Sequence, residues 1–150
     1  MLVTLQEVAD TELSELLCLH AHLHPEDEPL PLEEAARLWE TLRRDPNQHF
    51  LGAYWDNSLV SVCTLVVVPN LTRGGRPYGL IENVVTHPDH RRRGLGTAVL
   101  KRALQTAWGQ NCYKVMLLTG SRNEVTLRFY EQAGFERGVK TGFVARPGDC

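Results

Sequence analysis

The sequence lacks any long hydrophobic run. Its longest aliphatic stretches, residues 65–68 and 115–118, contain four residues each, whereas a membrane-spanning helix needs about 20 apolar residues. The N-terminus also lacks the basic segment that begins a secretory signal. We therefore expect neither a membrane protein nor a secreted one, and we predict a cytoplasmic location.

Cysteine is scarce, and its spacing is unlike that of a metal site. The four cysteines, Cys18, Cys63, Cys112 and Cys150, lie far apart, and the sequence has no Cys-x-x-Cys pair. This spacing favours reduced thiols over a disulfide framework or a zinc site. We expect no metal ion in this protein.

Charge of one sign is not in excess. Sixteen Lys and Arg residues against eighteen Asp and Glu residues give a net charge of -2. The chain therefore has no general basic field to hold a nucleic acid or an anionic membrane, and we expect neither as a partner. Any anion site must be local.

Length and patterning predict one domain over residues 1–150, of the α/β class. A chain of 150 residues corresponds to about one domain, and 43% hydrophobic residues is typical of a globular one. The apolar periodicity predicts the order β-α-α-β-β-β-α-β-α-β-β, a mixed sheet with helices on its faces. The predicted strands are residues 3–5, 49–55, 59–68, 78–86 and 113–118 with two short strands around Phe135 and Phe143, and the predicted helices are residues 10–22, 31–44, 95–108 and 123–133.

An arginine- and glycine-rich segment, residues 91–97, lies between the fourth predicted strand and the third helix. A helix N-terminus leaves about four backbone N–H groups unpaired and carries a partial positive charge, so it can bind a phosphate. Gly94 and Gly96 would let the backbone approach the anion without a Cβ in the way. The segment matches neither a P-loop nor a Rossmann fingerprint, in which Val99 would stand at the place of the third glycine. A solvated glycine-rich turn is the plainer alternative.

A second motif follows the fifth predicted strand, where Asn123 opens a helix that carries Tyr130 and ends in Gly134 and Phe135. This helix and the Arg91-x-x-Gly94-x-Gly96 segment together resemble the two signatures of the GNAT superfamily of acetyl-CoA-dependent N-acetyltransferases. The predicted order of elements is similar to that family's fold along nearly the whole chain.

The resemblance implies a sheet that splays between its fourth and fifth strands and binds acetyl-CoA as a co-substrate in the gap. It implies direct acetyl transfer, through a ternary complex, to a primary amine of a small molecule or to a protein amino group. The cofactor-binding residues that it implies are Val84, Val85, Thr86, Arg91, Arg92, Arg93, Gly94, Leu95, Gly96, Thr97, Asn123 and Tyr130.

Two residues are the candidate catalytic groups. The resemblance implies that the Tyr130 hydroxyl gives a proton to the departing thiolate. Glu82 is the first candidate for the base, because a carboxylate inside an otherwise apolar strand needs a partner or a function, and because it is similar to the strand carboxylate of the glucosamine-phosphate N-acetyltransferases. An ion pair, solvent exposure, or a water chain as the base are the alternatives for Glu82. Many family members carry a Glu on the next strand, where this chain has Leu118.

The sequence leaves the acceptor, the assembly and the role of three histidines open. The sequence does not identify the acceptor, and a homodimer is a candidate assembly because dimers are frequent in the family. His20, His22 and His24 are weak metal candidates, since Pro25 interrupts their helix, and one of them could contact the acceptor instead. A non-catalytic acyl-CoA-binding regulatory module is the alternative function, and an RNA-binding domain that uses residues 91–93 is a third hypothesis.

Overall fold

A computed structural model describes residues 2–148. Cys150, one of the four cysteines discussed above, lies outside the described residues. The elements are, in order, β1 (Val3–Glu7), α1 (Leu13–His20), α2 (Leu32–Arg44), β2 (Gln48–Trp55), β3 (Ser58–Val68), α3 (Thr72–Gly75), β4 (Tyr78–Thr86), a 3₁₀ turn (Pro88–His90), α4 (Leu95–Gly109), β5 (Val115–Met116) and α5 (Glu124–Gln132). The predicted mixed α/β architecture is confirmed.

The five strands form one sheet in the order β1-β2-β3-β4-β5. Strands β1 to β4 pair in an antiparallel way, each with the next, whereas β5 pairs with β4 in a parallel way. The β4–β5 pairing covers only Gly79 with Val115 and Leu80 with Met116. Beyond Leu80, β4 has no strand partner on this side, which is consistent with the predicted splay between the fourth and fifth strands.

Two apolar clusters cover the two faces of the sheet. On one face α4 packs over β2, β3 and β4, and the buried residues there include Cys63, Leu65, Ile81 and Leu100. On the other face α1 and α2 cover Phe50, Val62 and Val85 among others. Because α1 and α2 pack on β2, β3 and part of β4, this second face stays uncovered beside β5.

The prediction of two strands around Phe135 and Phe143 is wrong for the described residues. Residues 133–148 contain no helix or strand. Phe143 is 90% exposed there, and its neighbour Val144 is 68% exposed. Since β5 offers only two paired residues, it is too short an edge to align a further strand along it.

Two helix boundaries also differ from the predictions. The first helix begins at Leu13 rather than Asp10 and ends at His20, so His24 does not share a helical face with His20. The second begins at Leu32, with Pro31 in the extended conformation just before it. No helix among residues 2–148 is long and apolar enough to cross a membrane.

Candidate active site

Helix α4 begins at the predicted anion loop. Gly94 precedes its first residue with a φ of +75°, and a Cβ at Gly94 would meet no atom within 4 Å. The first backbone amide that bonds back along the chain is that of Ala98, which donates to the Gly94 carbonyl. The three amides of residues 95–97 therefore have no acceptor inside the helix and are free for a ligand.

Gly96 serves a different purpose from the one expected of it. It is buried, and a Cβ built on it would lie 2.9 Å from the Phe129 ring and 3.3 Å from the Thr86 hydroxyl. Glycine is needed here because α4 approaches α5 and the end of β4 too closely for any side chain. Gly96 thus sets the position of the loop rather than clearing space for the anion.

The three arginines of the loop are placed differently. Arg91 Nε donates to the Thr86 carbonyl at 3.2 Å, and the Arg93 guanidinium lies 4.6 Å from the centre of the Trp55 ring. Arg92 has a φ of +63°. None of the three forms a salt bridge with a described carboxylate, so their charge is not neutralised within residues 2–148.

The C-terminal half of β4 borders the gap between the splayed strands. Val84, Val85 and Thr86 have no β5 partner, so that edge of the strand is open to an extended ligand. The strand is also irregular here: the register shifts opposite Cys63, and Asn83 has a φ of +54°. A bulge of this kind re-aims the backbone groups that follow it.

Ser61 supports the same end of β4 and was not singled out from the sequence. Its fully buried hydroxyl donates to the Val85 carbonyl at 3.3 Å and lies 2.8 Å from the Thr86 hydroxyl. The signal available in the sequence was a serine inside an otherwise apolar strand. Its partners depend on which residues of β4 lie opposite, which the sequence does not show.

The second motif forms α5. The Asn123 side chain accepts a hydrogen bond from the Val125 amide at 2.9 Å and caps the helix. At the other end Gly134 has a φ of +111°, and the Phe135 amide donates to the Tyr130 carbonyl, which is the predicted glycine-terminated helix end. Asn123 therefore has a structural role, and its predicted cofactor contact stays a prediction.

Tyr130 lies half-buried and reaches the gap between β4 and β5. Burial raises the pKa of its hydroxyl, and the neighbouring Cys63 thiol raises it further. Burial also raises the pKa of Cys63 to about 12. Both groups therefore keep their protons at neutral pH, and Tyr130 can act as a proton donor.

Glu82 lines the same groove as Tyr130. The groove has a volume of about 820 Å³ and lies between β4, β5, α5 and residues 138–143. Because Ile81 faces the α4 cluster, the neighbouring Glu82 points to the opposite, uncovered face. Its side chain is exposed, and no described cation lies within salt-bridge distance. Of the alternatives that the sequence left for Glu82, the ion pair is therefore not formed.

His22 lies beside the turn before residues 91–97, where it contacts His87. The rings of His22 and His87 are 5.1 Å apart in an edge contact, and those of His87 and His90 are 5.7 Å apart. Burial lowers the pKa of His20, whose Nε2 has no hydrogen-bond partner. Among residues 2–148, no group of three or more His, Cys, Asp or Glu side chains could hold a metal ion.

Comparison with known proteins identifies one family. The sequence model of the Acetyltransferase (GNAT) family matches residues 13–135. The glucosamine 6-phosphate N-acetyltransferase of Trypanosoma brucei brucei is 34% identical over 132 residues, which are 87% of this chain and 87% of that protein.

Solved structures give the same result. A candidate acetyltransferase from Agrobacterium tumefaciens is 42% identical, with a TM-score of 0.91 over 96% of this chain and 99% of the other. An acetyltransferase from Trypanosoma brucei is 31% identical, with a TM-score of 0.80 over 96% of this chain and 99% of the other.

Proposed function

The chain belongs to the Acetyltransferase (GNAT) family, whose members use acetyl-CoA, and we propose that it transfers an acetyl group from acetyl-CoA to the primary amine of a small, anionic molecule. The observation that carries the proposal is the groove that Glu82 and Tyr130 both line. This groove lies beside an open strand edge that leads to a helix N-terminus with free amides.

The residues at the C-terminal end of β4 fit the coenzyme. The amides of residues 95–97 would bind the pyrophosphate, with the unneutralised charges of Arg91 and Arg93 beside it. The open edge of residues 84–86 would pair with the extended pantetheine arm. A backbone N–H of Val84 or Val85 would then polarise the thioester carbonyl, since a fixed donor stabilises the charge that develops on that oxygen.

Glu82 and Tyr130 divide the proton transfers between them. An ammonium group cannot attack a thioester, so the Glu82 carboxylate would accept its proton, directly or through a water molecule. The Tyr130 hydroxyl would give a proton to the departing thiolate. The amine attacks the acetyl carbon directly, which requires both substrates to be bound at once.

The acceptor's anionic group would bind at Lys114. Gly79 of β4 pairs with Val115, so Lys114 lies at the end of β4 opposite to the cofactor loop. Its Nζ lies 5.4 Å from the centre of the Tyr78 ring and 5.2 Å from that of Tyr113, and no described carboxylate forms a salt bridge with it.

The segments next to Lys114 carry no acidic side chain: residues 69–81 and residues 90–123 contain no Asp or Glu, although the whole chain has eighteen. The groove is also lined by Glu82, Glu131 and Glu136, of which Glu131 is paired with Arg137. Glu82 lies three residues further along the strand than Gly79, which is roughly 10 Å, and the long lysine side chain can span part of that distance. Glucosamine 6-phosphate, the substrate named for the Trypanosoma relative, has an amine and an anionic group on one small ring and is the first acceptor to try.

The test is a thiol-release assay with acetyl-CoA and matched acceptors. We expect faster release with glucosamine 6-phosphate than with glucosamine, and slow release with a lysine-containing peptide. Equal rates with glucosamine and its phosphate would contradict the anionic acceptor. Binding of CoA without thiol release from any amine would instead support the non-catalytic module.

Two further expectations belong to the same proposal. The thiols of Cys18, Cys63 and Cys112 are free, which suits action in the reducing cytoplasm.

The exposed apolar side chains of Phe143 and Val144 beside the short β5 favour a homodimer. Light scattering that finds only a monomer at high protein concentration would contradict the dimer.

A further inference from the structure

The side chain of Thr64 has no explained partner. It lies at the centre of the sheet, is 5% exposed, and its Oγ1 is buried without a hydrogen bond. A buried hydroxyl without a partner destabilises a fold relative to a methyl group of the same shape. Valine, which surrounds this position on β3, would fill the same space without that cost.

Glu82 is the polar group nearest to Thr64 in the strand register. Phe50, Thr64 and Glu82 lie directly opposite one another on β2, β3 and β4, so their side chains project from the same face. Phe50 is covered by the Trp39 ring at 4.9 Å and offers no hydrogen bond. Directly opposed residues have Cβ atoms roughly 5 Å apart, which leaves the carboxylate of Glu82 as the cross-strand partner.

We propose that Thr64 is a positioning residue that holds the Glu82 carboxylate when an acceptor amine is bound. Rotation about the Cα–Cβ bond of Thr64 turns its hydroxyl toward Glu82, where it donates to one carboxylate oxygen. The other oxygen then faces the gap and accepts the proton of the amine. The register places the pair just before the bulge at Asn83, where the strand turns toward the cofactor. This inference rests on the proposed role of Glu82 as the base.

The test compares Thr64→Val, which removes only the hydroxyl, with Thr64→Ser, which retains it. We expect Thr64→Val to lower kcat about tenfold, the loss of one hydrogen bond to a charged group, with the KM for acetyl-CoA unchanged. Its melting temperature should equal or exceed that of the wild type. Thr64→Ser should restore most of kcat, and Thr64→Val should have no further effect in a Glu82→Gln background.

Each other outcome overturns the inference. Unchanged kcat in Thr64→Val, or a Ser variant no better than the Val variant, shows that the hydroxyl has no role. A tenfold loss that persists in the Glu82→Gln background shows that Thr64 acts elsewhere. A wild-type protein that binds CoA and acetylates no amine refutes the proposed function, and the role of Thr64 with it, whereas failure of the variants alone refutes only the latter.

Discussion

At its C-terminal end β4 leads into a loop held between α4, α5 and buried side chains, whereas at its N-terminal end it pairs with only two residues of β5. The first end, the cofactor end, has free amides, a bulged strand and a glycine that admits no side chain. The second end, the acceptor end, has an unpaired lysine and a C-terminal segment without secondary structure, and the exposed Glu82 carboxylate lies between the two ends. Binding a constant coenzyme requires a preorganised surface, while acceptor specificity depends on a few side chains at an open one.

The largest expected effect is on the chemical step at the acceptor end. Glu82→Gln should lower kcat by about 10² to 10⁴-fold, because no side chain then accepts the proton of the amine. The dissociation constant of acetyl-CoA, measured by calorimetry, should not change. A variant that keeps the wild-type kcat would assign the proton transfer to a water chain instead.

Tyr130→Phe should lower kcat by roughly 10- to 100-fold, since a thiolate leaves more easily than the amine loses its proton. The burial that raises the pKa of Tyr130 keeps it protonated through neutral pH, so the wild-type rate should show no decline from this group there. Leu104→Met, a volume-conserving change on another groove-lining side chain, is the control. Equal kcat in Tyr130→Phe and wild type would leave Tyr130 with packing alone.

Gly96→Ala should impair the cofactor end only. The Cβ of the introduced alanine would press on the Phe129 ring, so we expect a loss of about 1–3 kcal/mol in unfolding free energy. We also expect weaker acetyl-CoA binding. Gly109→Ala, at the other end of the same helix with no atom within 4 Å, is the matched control and should not weaken either property. If both variants bind acetyl-CoA as tightly as wild type, the assignment of the loop fails.

Lys114→Met should raise the KM for glucosamine 6-phosphate about tenfold, the value of one charge-assisted contact, and leave the KM for glucosamine nearly unchanged. Lys101→Met, which removes an exposed charge from α4, controls for net charge. A parallel rise for both sugars would mean that Lys114 shapes the groove without recognising the anion.

The smallest expected effect is a difference in chemical reactivity between the thiols of Cys18 and Cys63. Below its raised pKa of about 12 the Cys63 thiol stays protonated, whereas an unfolded chain would ionise it near 9. Folding therefore gains stability from this group that is complete below pH 9 and is lost as the pH rises toward 12.

At pH 8 iodoacetamide should modify the exposed Cys18 and not Cys63, as measured by mass spectrometry. Rapid labelling of Cys63 would show that the cofactor end opens.

Much of the cofactor end was predictable because its signals are local. Gly94 adopts the left-handed conformation that its position before a helix suggests, and the end of α5 at Gly134 follows the same logic. The role of Gly96 was misjudged, since its contact with Phe129 joins residues far apart in sequence. The prediction of two C-terminal strands was wrong because an alternating pattern forms a strand only where a neighbouring edge can pair with it.

The sequence by itself determined the order of the main helices and strands as far as α5, and the two motifs that indicate the family, because periodicity, helix ends and glycine conformations act over a few residues. Only the tertiary structure decided that Thr64 faces Glu82, that Lys114 lies at the far end of the same groove, and that Ser61 supports Thr86. These contacts depend on strand register, and shifting a strand by one residue turns every side chain to the other face.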